Sequence, residues 1–264
     1  MLPRLSIPYT LADRDQLRFV HIPKTAGLTL ITLLKSQFLP TENCNIHQIE
    51  FVLKLPKEQR AAFKLITAHG TYRQFEQIGS TSPVYITMFR DPVERVISSY
   101  YHILRHPEHA YYPEVHTLDL KDFLKWDSPA RWIIQDQQVR ILTGEIDLAI
   151  IPDISKAKRT LSEKFIFAGI MERFDDSLEL LNYVFNWDVP QDYSSVNVNP
   201  KRLKKSEISS SVIDAIREMN QLDIELYNYA VQLFEEQYKL MRLLKQSDQQ
   251  YEDAASRIRA IFQA

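Results

Sequence analysis

The sequence predicts an α/β fold of three layers, a central parallel sheet flanked by helices with a long C-terminal helix, on three observations. Short apolar runs recur at 19–22, 64–68, 84–89 and 165–170, each bounded by turn-forming or charged residues. Stretches of helical periodicity separate these runs, and strands that alternate with helices imply parallel strands joined by crossovers. Near the C-terminus, Leu222, Leu226, Tyr229, Ala230 and Leu233 fall on one face of a long amphipathic pattern. No internal repeat, low-complexity tract or linker interrupts the chain, so residues 1–264 are expected to form a single domain.

Residues 1–16 read as an irregular lead-in, because Pro3 and Pro8 block regular structure. Phe19, Val20 and Ile22 then make a buried strand that Pro23 ends. Lys24-Thr25-Ala26-Gly27 forms a tight turn, and Leu28, Leu30, Ile31, Leu33 and Leu34 fit a buried helix. Residues 40–45 are a polar connection, followed by short helical pieces at 46–55 and 57–63 on either side of Pro56. The strand at 64–68 ends in His69-Gly70, and a helix over 72–78 is closed by Gly79. The clearest strand, 84–89, ends at Arg90-Asp91-Pro92, where Pro92 suits the first turn of a helix that lasts until Pro107. Residues 106–116, rich in His and Tyr, read as an irregular surface stretch. Helices are expected at 120–126, 130–142 (closed by Gly144) and 154–161, then a strand at 165–170 and a helix at 172–185. Residues 186–205 lack apolar periodicity and concentrate charge in Lys201, Arg202, Lys204 and Lys205. One amphipathic helix is expected from 207 to about 244, with 245–264 a polar terminal helix or tail.

Composition narrows the function. A net charge of −2 argues against a general nucleic-acid binder, which would carry a basic excess. The single cysteine, Cys44, allows no internal disulfide. There is no apolar run long enough to span a bilayer, and the N-terminus lacks the apolar core of a signal peptide. A cytoplasmic protein with no transmembrane segment and no nucleic-acid partner is expected.

Strand, small-residue turn and helix together point free backbone N–H groups at an anion, with the helix dipole assisting. Lys24 adds a positive charge at the mouth of this turn, Thr25 and Thr29 add hydroxyl donors, and Ala26, Gly27 and Leu28 supply backbone N–H groups. Gly27 is expected to let the backbone approach the ligand without a Cβ in the way. Two further strands end in polar residues, His69 and Arg90. Ligands of open α/β sheets sit outside the carboxyl ends of the strands, so Lys24, His69 and Arg90 are expected to converge.

These residues carry a family resemblance. HIPKTAGLTL resembles the 5′-phosphosulfate loop of PAPS-dependent sulfotransferases. ITMFRDPVERVISSYY is similar to their 3′-phosphate motif, in which an Arg ends a strand and a Ser follows eight residues later; here these are Arg90 and Ser98. HGTYRQFEQIG resembles the segment that carries the catalytic histidine of the uronosyl (heparan/dermatan) 2-O-sulfotransferase type and its bacterial relatives, and that histidine falls on His69. The similarity runs from about residue 18 to 240. It implies a P-loop-like fold, PAPS as donor with no metal required, and a hydroxyl-bearing acceptor of the saccharide type.

The chemistry agrees with the resemblance. Sulfuryl transfer, like phosphoryl transfer, is an in-line displacement in which the protein positions groups and neutralises charge. Lys24 is assigned to the departing phosphate oxygen and His69 to the acceptor's proton, since imidazole is the side chain whose pKa lies near neutrality. Arg90 can grip the 3′-phosphate in a fork, with Ser98 donating a hydroxyl; a salt bridge to Asp91 or Glu94 is the weaker alternative. Lys201 and Arg202 are candidates to close over the adenine or the 3′-phosphate. His21 reads as a packed strand histidine. His102 and His106 read as a rim facing the acceptor rather than a metal pair, because no carboxylate or Cys accompanies them in a recognised pattern. Two rivals remain. A P-loop hydrolase or kinase would use 84–89 with Asp91 as a Walker B strand, although G-x-x-x-x-G-K-[ST] is absent. A catalytically silent module would bind PAP, the 3′,5′-bisphosphate product, without transferring anything.

Overall fold

The structure, a computed structural model, describes residues 8–79, 82–188, 203 and 205–262, with 251–262 as backbone only. Its strands are β1 (Asp15–Val20), β2 (Asn43–Cys44), β3 (Leu65–Ala68), β4 (Ser82–Phe89) and β5 (Phe165–Ile170). They form one sheet in the order β2-β3-β1-β4-β5, and all its pairings are parallel. The first strand therefore lies in the middle, with Val20 level with Ala68 of β3 on one side and Thr87 of β4 on the other. Every residue of β1 and β3 is buried, without the alternation of a half-exposed sheet, because helices cover both faces. This is the predicted α/β architecture. The carboxyl ends of β3, β1 and β4 are neighbours, which brings His69, the Lys24 turn and Arg90 to one edge.

Four expectations need correction. β1 starts at Asp15, inside the stretch read as an irregular lead-in, and Ile22 lies beyond its end. Its polar residues are buried because each finds partners. Asp15 accepts from Tyr9 Oη and Ala12 N at 2.8 Å, Gln16 donates to Arg60 O and Phe63 O, and Arg18 donates to Gln16 Oε1 and Phe75 O. β2 is an edge strand too short to show a period, and it falls in the expected polar connection. The helix expected at 130–142 is broken: a 3₁₀ turn spans Pro129–Ile133, Asp136 is left-handed at φ 48°, and the α-helix is Gln137–Thr143. The helix expected from 207 to 244 is likewise two, Ser210–Met219 and Gln221–Phe262, parted at Asn220. Asn220 holds the break by donating to Ile134 O and Ile216 O while accepting from Asp136 N. The terminal stretch is helical to Phe262.

A second apolar cluster (Val93, Val96, Ile97, Ile103, Phe123, Ile216) fastens the Pro92–Arg105 helix away from the main core. That helix leaves directly from the end of β4, so its orientation decides what faces the Lys24 turn. Among the described residues no helix is long and apolar enough to cross a membrane.

Candidate active site

The turn after β1 is built from backbone that L-residues seldom adopt. Lys24 has φ 70° and Ala26 φ 61°, each costing on the order of 1–3 kcal/mol unless its surroundings impose it. A buried brace does so: Thr25 Oγ1 donates to Ile22 O at 2.8 Å. The turn delivers the chain into the Gly27–Lys35 helix, whose start has no side-chain cap and no acidic residue in its first turn. Its first N–H groups have no partner within the helix, and the dipole adds positive potential there. The helix start therefore fits an anion.

Two residues of the turn also have packing roles that the sequence did not show. The Thr25 hydroxyl donates to Ile22 O, so Thr25 braces the turn. Gly27 is required by a neighbour: a Cβ there would lie 1.9 Å from Nε2 of His21. The missing side chain makes room for a histidine ring. Thr29 is buried in the first turn of the helix, and Leu28 beside it is half exposed.

His21 is packed, as the sequence indicated. Its ring stacks between Phe19 (5.2 Å between centroids) and His69 (4.2 Å), and burial pushes its pKa well below the ordinary value. His69 follows β3 and is fixed by its own backbone, which donates to His47 O at 2.7 Å and accepts from Ile49 N at 3.0 Å. Its side-chain Nδ1–H donates to His21 O at 3.1 Å. A carbonyl oxygen can only accept, so the neutral ring carries its lone pair on Nε2. Burial lowers the His69 pKa, the carbonyl bond opposes that, and the charges of His47 and Lys24 lower it further. His69 is thus neutral at pH 7, in one tautomer, with a basic nitrogen available. His47 was not foreseen: it lies in the stretch 46–55 read as a short helical piece, whereas the helix starts at Ile49 and His47 O instead accepts from His69 N.

Arg90 lies just past the end of β4 and is 7% exposed. Its Nη1 donates to Lys24 O at 3.0 Å, which ties the two phosphate motifs together, and a loose ion pair reaches Glu94 at 3.6 Å. Asp91 does not stand as a Walker B carboxylate. It caps the following helix by accepting from Glu94 N at 2.9 Å, and it faces Lys205 at 3.7 Å. Along that helix Glu94, Ser98 and His102 follow one another at i, i+4 and are partly exposed, while Arg95, Val96, Ile97, Ser99 and Tyr100 are buried. This stripe is the open face. The His102 ring lies 4.5 Å from that of His106 and 5.6 Å from that of His109. Burial, with the charges of Lys24, His106, His109 and Arg105, brings the His102 pKa down to about 3. The Lys24 charge lowers the pKa of His21 and His69 as well as that of His102. Among the described residues no three His, Cys, Asp or Glu side chains gather as metal ligands. Lys201, Arg202 and Lys204 lie outside the described residues.

A model described as "Sulfotransferase family" matches residues 8–230. Heparan-sulfate 6-O-sulfotransferase 2 of Mus musculus is 24% identical across 92% of this chain and 48% of its own length. Heparan-sulfate 6-O-sulfotransferase 1 of Cricetulus griseus is 26% identical across 68% and 52%. Uronyl 2-sulfotransferase of Homo sapiens is 22% identical across 64% and 47%. The chain spans about half the length of the curated relatives it matches. A crystal structure of a sulfotransferase from Alicyclobacillus acidocaldarius aligns with a TM-score of 0.46 at 14% identity, covering 81% of this chain and 97% of that one.

Proposed function

Since the chain belongs to the sulfotransferase family, we propose that it is an enzyme that transfers a sulfuryl group from PAPS to a hydroxyl of a saccharide. The observation that carries this reading is the bond from Arg90 Nη1 to Lys24 O at 3.0 Å. It joins a helix start suited to a 5′-phosphate to an arginine suited to a 3′-phosphate, and a donor with phosphates at both ends of one ribose needs that pairing. The curated relatives are named for heparan sulfate and uronyl acceptors, which supports a saccharide here.

In this mechanism the N–H groups of Ala26, Gly27 and Leu28 and the Thr29 hydroxyl hold the 5′-phosphate. Arg90 and Ser98 hold the 3′-phosphate. The acceptor oxygen forms a bond to sulfur as the bond from sulfur to the 5′-phosphate oxygen breaks. The acceptor's proton passes to His69 Nε2, and the electron pair leaves with the phosphate oxygen, whose charge Lys24 neutralises. The products are PAP and a sulfate ester. No step in this scheme is assigned to a metal ion.

The test has two arms. PAP should raise the melting temperature clearly more than 5′-AMP or ATP with magnesium does, because ligands that bind only the native state stabilise it by mass action. Radiolabelled PAPS should then label an N-sulfated heparosan oligosaccharide or another member of a saccharide panel. Equal shifts from PAP and 5′-AMP would remove the 3′-phosphate assignment. PAP binding with no labelled acceptor would favour a silent binding module instead.

A further inference from the structure

We propose that Gln138 is a positioning residue for the donor: its carboxamide clamps the Arg90 peptide and so aims the Arg90 guanidinium. The proposal rests on the reading that Arg90 meets the 3′-phosphate. Arg90 stands one residue beyond β4, whose last pairing is Phe89 with Ile170 of β5. Past that point the sheet no longer satisfies the backbone. Gln138 takes over on both sides of one residue, with Arg90 N donating to Gln138 Oε1 at 3.2 Å and Gln138 Nε2 donating to Arg90 O at 3.0 Å. A single fully buried side chain thus replaces the missing strand neighbour.

The clamp is itself held. Gln138 lies in the first turn of the Gln137–Thr143 helix, whose start is fixed by Asp223, which accepts from Gln138 N at 3.1 Å and Val139 N at 2.8 Å. Asp223 is fully buried, faces Arg95 at 3.9 Å, and donates its own N–H to Asp136 Oδ1 at 3.0 Å. Arg95 in turn donates to Ile133 O at 2.8 Å and Gln137 Oε1 at 2.5 Å. Arg95 sits on the same helix as Ser98, so one network sets both the Arg90 peptide and the helix that bears the hydroxyl. Arginine is a long side chain whose direction depends on its Cα. With the peptide pinned on both sides and Nη1 seated on Lys24 O, the direction of the guanidinium is decided before a ligand arrives.

The experiment measures PAP and 5′-AMP binding by calorimetry on the full chain. It uses the wild type, Gln138→Met, Gln138→Asn, Arg90→Ala and the double variant Arg90→Ala/Gln138→Met. Methionine keeps the volume and removes the clamp, whereas asparagine keeps the amide but withdraws it by one methylene. The expected result is that either Gln138 variant lowers the PAP-to-AMP affinity ratio roughly tenfold, the scale of a small misplacement, while AMP affinity stays unchanged. In the Arg90→Ala background Gln138→Met should lower the ratio no further, since both act through one side chain. Leu181→Ala, a truncation in the main core on the Phe174–Phe185 helix with no contact to the clamp network, serves as the structural control, expected to shift the melting temperature with the ratio intact. Equal weakening of PAP and AMP by both Gln138 variants, or an unchanged ratio, overturns the clamp. A wild type that binds PAP and AMP alike overturns instead the reading of Arg90, and the clamp with it.

Discussion

The two sides of the site are held in opposite ways. The Lys24 turn is a local object. Its brace links Thr25 to Ile22, its left-handed residues are Lys24 and Ala26, and the helix it opens begins at Gly27. Arg90 is placed by residues far along the chain: Gln138 is 48 positions away, and the Asp223 that fixes Gln138 lies a further 85 on. Burial favours the neutral form on both sides. It holds His21 and His69 beside the turn, and His102 on the Arg90 side, below the ordinary histidine pKa, and it pushes Asp223 beneath Arg90 up to about 6 despite Arg95 beside it. A turn set by its own backbone is fragile to a change of one atom within it. A platform set by distant packing is sensitive to anything that moves its supports.

The largest effect expected from breaking this contrast is chemical. His69→Ala should leave PAP affinity near normal while transfer falls about 10²–10⁴-fold, the usual range for losing a general base. Because the His69 pKa is lowered, the acid limb of the wild-type rate should lie below the ordinary histidine value of 6.5. Making His21→Ala in parallel guards the assignment: if that variant abolishes transfer while His69→Ala retains it, the base belongs to the end of β1.

Next comes the local turn. Gly27→Ala places a methyl in contact with the His21 ring, which is packed against Phe19 and His69 and has no open side to retreat to. A loss of about 1–3 kcal/mol of stability is expected, the range for overpacking, together with weaker binding of both PAP and AMP. Chemical denaturation with and without nucleotide would measure it. Unchanged stability would mean that the ring moves aside freely.

The smallest effect concerns pH. The buried histidines have pKa values below their unfolded ones, so the native state binds fewer protons and stability is lost as pH falls through 6.5. Asp223 acts the other way. Its folded pKa of about 6 exceeds the unfolded 3.8, so the native state keeps a proton that the unfolded chain releases, and stability is gained as pH falls through 6. That gain amounts to roughly 1 kcal/mol between pH 7 and pH 5. Urea titrations at pH 7, 6 and 5 should therefore show a steeper acid loss in Asp223→Asn than in the wild type. Parallel curves would mean that Asp223 does not titrate in this window.

The sequence by itself determined the α/β class, four of the strands and the residues that end three of them. Continuous apolar runs and turn residues are local signals, and a parallel sheet buried on both faces needs such runs. It also determined Lys24, His69 and Arg90 as the groups to look for, because each closes a strand. Where polar residues enter a strand, as at Asp15, Gln16 and Arg18, the signal failed, since only partners such as Phe63 and Phe75 make their burial tolerable. Tertiary structure alone decided that Gly27 serves a histidine ring, that Thr25 is a brace, and that His69 presents Nε2. It alone broke the later helices at Asp136 and Asn220 to bring Gln138 and Asp223 beneath Arg90. Each of these rests on a hydrogen bond or contact between side chain and backbone from separate elements, and no local pattern encodes which carbonyl a donor will meet.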